Sequence, residues 1–227
     1  MAIYEIYQNE CEVNMVKCNY CNNILVPYTR RLPWDEVLFD SMSYVVAPSL
    51  GSFIEGWTLI ISKRHVTSMS QLLLSEIREL NSLIPEIRKR VEQAYGPTVV
   101  FEHGPLTAGT EFGCGIDHAH FHIVPFNSHI IPLIERELTC IEWRQLEQFE
   151  DILQETKSYL FVVDIDAENG IISNPGCIQS QFMRRILAKY MGMMEYFDYH
   201  QYSFEENASA TCRSLRGAFN CVHAVAC

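Results

Sequence analysis

Gly-Ile-Asp-His-Ala-His-Phe-His-Ile-Val-Pro, residues 115–125, sets histidines 118, 120 and 122 in strict alternation. Successive side chains of a strand point to opposite faces, so this spacing lines three imidazoles in one row. Ala119, Phe121 and Ile123 then form an apolar opposite face. A helix would bring only His118 and His122 together. The glycines at 113 and 115 and Pro125 also favour a short strand. Burying three imidazoles costs desolvation, and close imidazoles repel one another when protonated. Such a row is read as a functional site rather than as ordinary core histidines.

Working outward, Ser43–Ala47 and Trp57–Ser62 read as strands separated by a loop over 48–56. The second is almost continuously apolar, which implies burial, and Lys63-Arg64-His65 follows its end. From about Ser70 to Tyr95, Leu73, Ile77, Leu80, Ile84, Ile87 and Val91 recur at helical spacing, with Arg78, Glu79, Arg88, Lys89 and Glu92 on the other face. Pro85 is expected to kink or split this helix, and Gly96-Pro97 to end it. Thr98–Glu102 is a third strand. A Gly-rich loop, 104–115, leads into the histidine strand. The order strand, strand, long helix, strand, loop, strand describes an α+β domain with an antiparallel sheet of about five strands.

The composition narrows the function. With 227 residues, 48% of them hydrophobic, the chain has enough material for a real core. Its net charge of −11 argues against a nucleic acid polymer as partner, because such binding neutralises many phosphates. No apolar run reaches membrane-spanning length, and Met1–Ile6 lacks the basic start and apolar stretch of a signal peptide. Nine cysteines without a secretion signal point to a reducing, cytoplasmic setting. One pair stands apart. Cys18-Asn-Tyr-Cys21, in a turn-prone polar segment, suits either a metal or a redox pair, although no thioredoxin-like strand precedes it.

His118-Ala-His120-Phe-His122-Ile-Val resembles the signature of the histidine-triad (HIT) superfamily. Residues 57–65 are similar to its strand that ends in Lys-Lys-His, and Phe101–Gly104 to its strand before the Gly-rich loop. Gly113-Cys-Gly115-Ile-Asp-His-Ala-His is close to the bacterial form. The resemblance spans about residues 18–127. It implies a nucleotide hydrolase that cleaves a substituent from an α-phosphate through a nucleotidyl-histidine and releases a nucleoside monophosphate. By position His120 is the nucleophile, and His122 donates to a phosphate oxygen or the leaving group. Backbone N–H groups around Gly113 and Gly115 are expected to face the phosphate.

In the zinc-containing branch of the family, and in the related galactose-1-phosphate uridylyltransferases, four matching positions bind metal. Here they are Cys18, Cys21, His65 and His118, a set suited to a closed structural zinc site. The resemblance also implies a base and ribose pocket over about Val46–Trp57. Ser49 lies near the ribose position, and Trp57 stands where relatives commonly carry histidine. Glu102 is expected on the strand beside the phosphate. Family members usually pair two chains into one continuous sheet, which implies a homodimer. Two other readings stay open. One is a nucleotidyltransferase of the uridylyltransferase type, although those relatives carry glutamine at the position of His122. The other is a non-catalytic nucleotide-binding protein.

The chain divides by this reading into a HIT-like catalytic domain with an N-terminal zinc-binding loop, residues 1–130, and an α/β extension packed on it, residues 131–227. In the extension, Pro132 to about Tyr159 reads as a helix with Trp143, Leu146, Phe149, Ile152 and Leu153 on one stripe. Tyr159–Ile165 reads as a strand, and 178–190 as a helix. Gln179-Ser180-Gln181 and Arg184-Arg185 resemble a segment that follows the triad in longer relatives, so Arg184 is a candidate phosphate ligand.

Overall fold

The computed structural model describes residues 18–26, 36–113 and 115–220, with only the backbone of Asn220. The signal-peptide reading at Met1–Ile6 lies outside these residues, as does Cys114 of the Gly-rich loop. Among the described residues, eight strands form one antiparallel sheet. They are β1 (Phe39–Asp40), β2 (Tyr44–Pro48), β3 (Thr58–Ser62), β4 (Thr98–Gly104), β5 (His120–Pro125), β6 (Arg144–Gln145), β7 (Tyr159–Val163) and β8 (Ile171–Ser173). Their spatial order is β1-β2-β3-β5-β4-β7-β8-β6. The expected α+β class therefore holds. Five of the eight, β2, β3, β4, β5 and β7, correspond to strands read from the sequence; β1, β6 and β8 are additional, and β7, β8 and β6 extend the free side of β4.

The histidine strand β5 lies between β3 and β4. Leu59 and Ile61 of β3 face His122 and His120, and Phe101 of β4 also faces His122. Residues opposite one another share a face, so one face carries His120, His122, Leu59, Ile61 and Phe101. The other carries Ala119, Phe121, Ile123, Ile60 and Val100, and a separate apolar core covers each. Against the second face lies α1 (Leu74–Tyr95), which buries Ile77, Leu80, Leu83, Ile84, Ile87 and Val91. Pro85 does not split it. The proline and Asn81, whose carbonyl loses its N–H partner, are both exposed. Water can satisfy that carbonyl while Leu83, Ile84 and Ile87 hold the turn to the sheet.

The helix expected over Pro132–Tyr159 does not form. Helix α2 (Ile131–Glu137) ends early, β6 follows, and a 3-10 turn covers Phe149–Gln154. The apolar residues serve different cores. Trp143 packs into the core on the triad face, whereas Leu146, Phe149, Ile152 and Leu153 pack into the core under α1. One helical stripe cannot reach both sides of a sheet. Strand β7 pairs with β4 over five residues, from Val100↔Val163 to Gly104↔Tyr159, so the segment beyond residue 130 completes the sheet rather than lying against it. Helix α3 (Phe182–Tyr190) starts later than Ile178 and covers the triad face. Helix α4 (Glu205–Asn220) packs beside β2 and α1.

Both outer strands among the described residues, β1 and β6, are two residues long. They offer little ladder for a continuous two-chain sheet. A homodimer stays the expectation, and sedimentation velocity tests it: a mass of one chain only, 26.2 kDa, would refute it. No helix among the described residues is long and apolar enough to cross a membrane.

Candidate active site and metal centre

The row of histidines is buried. His118, His120 and His122 are each less than 5% exposed. Each ring nitrogen has a definable role. His120 Nδ1 lies 2.5 Å from the His118 carbonyl oxygen. A carbonyl only accepts, so Nδ1 carries the proton and the lone pair sits on Nε2. Burial lowers the pKa of His120, only partly offset by that hydrogen bond and by Glu102. The result is a neutral imidazole with a nucleophilic nitrogen.

Trp57 Nε1–H donates to His122 Nδ1 at 3.0 Å. This fixes the opposite tautomer in His122, with the proton on Nε2. Burial, with His120, His103 and Arg184 nearby, holds the His122 pKa well below the ordinary histidine value. The His120 and His122 rings meet edge-on at 4.7 Å, and Phe101 stacks on His122 at 4.5 Å. Adjacent histidines thus hold complementary tautomers, one presenting a lone pair and the other an N–H.

The first histidine has different partners. His118 Nε2–H donates to the Ser62 carbonyl oxygen at 2.6 Å, which leaves Nδ1 as the free lone pair. That Nδ1 lies 3.4 Å from Cys18 Sγ, 3.6 Å from Cys21 Sγ and 3.2 Å from His65 Nδ1, and Cys21 Sγ lies 3.3 Å from His65 Nδ1. All four donor atoms fall within 4.8 Å of one another. A tetrahedral zinc with nitrogen at about 2.05 Å and sulfur at about 2.3 Å spans edges of roughly 3.3–3.8 Å. The cluster fits. Burial depresses both imidazoles, His118 to about 4, which keeps them unprotonated as metal ligands must be. The hydrogen bond to Ser62 would be the outer partner that orients His118 as a ligand.

The loop that carries Cys18 and Cys21 also reaches His120. Tyr20, between the two cysteines, is buried and sets its ring edge-on against His118 at 5.7 Å and His120 at 5.2 Å. A π-helical turn, Tyr20–Ile24, carries it. Nothing in the composition of Cys-Asn-Tyr-Cys marks this contact; it arises because both cysteines converge on His118.

Residues 34–129 match the family model of the HIT domain. This segment is a HIT domain. The matched segment runs from ahead of β1 to beyond β5 and contains the triad and His65, whereas both cysteines precede it. A HIT-like protein involved in cell-cycle regulation from Bartonella henselae is similar over 48% of this chain and 79% of its own, at 18% identity and a TM-score of 0.37. A hypothetical histidine triad nucleotide-binding protein from Sulfolobus tokodaii is similar over 40% of this chain and 66% of its own, at 20% identity and a TM-score of 0.33. No curated protein matches the chain.

Several candidate ligands of the HIT domain lie elsewhere than expected. Glu102 faces α1, not the triad, because alternation along β4 sends Phe101 and His103 to the triad side. Its carboxylate accepts Met69 N–H at 2.8 Å and Tyr159 O–H at 2.7 Å. The loop over 49–56 is covered by the chain's own C-terminal segment. Gly51 N–H donates to Ser203 O at 2.5 Å and Asn207 Nδ2 to Ser52 O at 3.0 Å. Ser49 is buried, with its N–H on Trp57 O and its Oγ on Leu50 O. Arg184 is buried too. It donates to the carbonyls of Phe197 and Gly51, and its guanidinium lies 4.8 Å from the Trp57 ring. It clamps the C-terminal segment onto that loop.

The glycines of the Gly-rich loop meet the same segment. Gly113 O accepts Gln181 N–H at 3.3 Å, and Gly115 O accepts Tyr199 O–H at 3.0 Å. Gly115 has φ +92, and a Cβ there would stand 2.8 Å from Tyr199 Oη, so both conformation and space require glycine.

Burial pushes the Glu102 carboxyl up to about 7 from 4.5, against the hydrogen bonds from Tyr159 and Met69. The folded chain holds this proton more tightly than the unfolded chain. Its stabilising contribution is complete below about pH 4.5 and is lost as pH rises through about 7, by on the order of 3 kcal/mol. Glu102→Gln is expected to gain that amount relative to the parent between pH 5 and pH 8, read from urea midpoints. A difference that stays constant over this range would refute the shifted carboxyl.

Proposed function

We propose that the chain is a nucleotide hydrolase that cleaves a substituent from the α-phosphate and releases a nucleoside monophosphate. The observation that carries this reading is the complementary pair of tautomers on β5. His120 Nε2 has the lone pair to attack phosphorus. The bond from phosphorus to the leaving group breaks as the N–P bond forms, and His122 Nε2–H donates to the phosphoryl oxygens or the departing atom. Water then attacks the nucleotidyl-histidine, and the N–P bond returns its electron pair to Nε2.

The cluster of Cys18, Cys21, His65 and His118 is read as a structural zinc site, the bound ion holding the N-terminal loop against the catalytic strand. Four protein ligands leave a tetrahedral ion no open position for substrate. The uridylyltransferase type of reaction is the second reading, supported by the same donor set. The complete triad with His122 favours the hydrolase.

Intact-mass measurement after brief exposure to a panel of nucleotides substituted on the α-phosphate tests the reading. The expected result is a transient increase of one nucleotidyl group, located on His120, followed by free monophosphate. Neither adduct nor monophosphate across the panel would exclude it. An adduct resolved only by a second phosphate would favour the transferase.

A further inference from the structure

His103, outside the triad, completes a second pair of oriented donors. Met183 N–H donates to His103 Nε2 at 3.3 Å. An accepting ring nitrogen carries no hydrogen, so the His103 proton sits on Nδ1. This Nδ1 is buried and has no hydrogen-bond partner, and His122 Nε2 is in the same condition. Both side chains are 4% exposed.

The two N–H groups share a face. Because Phe101 lies opposite His122, alternation brings His103 to the triad side of β4. Phe101 touches both, stacked on His122 and edge-on to His103 at 5.8 Å. The His103 and His122 ring centres are 6.5 Å apart, and His120 is 4.7 Å from His122. A buried donor without an acceptor bears its desolvation cost uncompensated, and native chains rarely keep one without a reason. Here two occur on one face beside a nucleophile, with their tautomers set by separate donors, Trp57 and Met183. What both lack is an acceptor, and a phosphoryl group brings several.

We propose that His103 is a phosphate-binding residue, and that His103 Nδ1–H and His122 Nε2–H together hold two non-bridging oxygens of the α-phosphoryl group. The proposal rests on the hydrolase reading for its substrate, but oxyanion binding can be measured without turnover. A pair of neutral donors suits an acidic chain. It holds the phosphoryl group in place without a salt bridge, and it strengthens as negative charge builds on those oxygens in the transition state.

Long-range 15N correlation spectra of the full chain, titrated with inorganic phosphate and with AMP, provide the test. Without ligand, His103 is expected as the Nδ1–H tautomer and His122 as the Nε2–H tautomer. Both signals are expected to move on titration. His103→Phe is expected to bind either probe about tenfold more weakly or worse, and His103→Asn, which keeps a donor, to recover part of the loss. Binding that leaves the His103 signal unmoved, full affinity in His103→Phe, or no binding of either probe overturns the proposal. The unsubstituted chain supplies the decisive signal even if a variant fails to fold. Phosphate held by both histidines with no adduct at His120 would uphold the donor pair while the hydrolase reading falls.

Discussion

His120→Ala is expected to abolish release of nucleoside monophosphate, a fall of about 10⁴-fold or more. No other group duplicates its position. The His120 Nδ1–H bond to the His118 carbonyl leaves the lone pair on Nε2. His122 cannot substitute, because Trp57 occupies its Nδ1 and its Nε2 carries the proton. His122→Ala is expected to lose less, about 10²–10⁴-fold, as removal of a general acid or oxyanion donor does. In intact-mass experiments the two should separate: His120→Ala forms no adduct, whereas His122→Ala forms one slowly. Turnover by His120→Ala at the parent rate would remove the nucleophile assignment. An unchanged melting temperature in the same variant makes the loss chemical rather than structural.

The second large effect concerns the metal. The parent chain is expected to contain about one zinc per chain, and Cys18→Ser with Cys21→Ser to contain none. A zinc ion held by this cluster would join segments far apart in sequence, since Cys18 and His118 are 100 residues apart and Cys21 and His65 are 44 apart. An ion present at about a thousand times its dissociation constant adds about 4 kcal/mol of stability. In a chain of this size its removal should lower the melting temperature by roughly 8–16 °C. Tyr20 and Ile24 are buried in the core on the triad face, so loss of the ion should also expose the 18–26 segment to protease and free Tyr20 from His120. Metal analysis and limited proteolysis before and after chelation check both points. Stoichiometric zinc that survives the double substitution would contradict the ligand set.

The fold around β5 was legible because its cues are local. Alternation along 118–123, the apolar run at 57–62 and the 3.6-residue period over 77–91 each follow from the geometry of a single element. The C-terminal part was harder to read. Trp143, Leu146, Phe149, Ile152 and Leu153 have helix-compatible spacing, yet they divide between two cores on opposite sides of the sheet. Which core a residue joins depends on the path of a connection, and no window of sequence carries that. Pro85 misled for a related reason: its cost depends on whether the freed carbonyl meets water.

For the site, the sequence by itself determined the inventory and its order along one strand. Three histidines share a face, and two cysteines and His65 stand at family positions. Tertiary structure decided what each nitrogen does. Carbonyls from His118 and Ser62 and the Trp57 N–H assign the protons of His120, His118 and His122. It also turned Glu102 away and brought His103 in, because strand alternation lets only one of two neighbouring residues face the triad. It placed Arg184 on carbonyls of its own chain. A histidine's chemistry depends on which ring nitrogen holds the proton, and that is set by partners up to 80 positions away, which meet the ring only when the sheet is assembled.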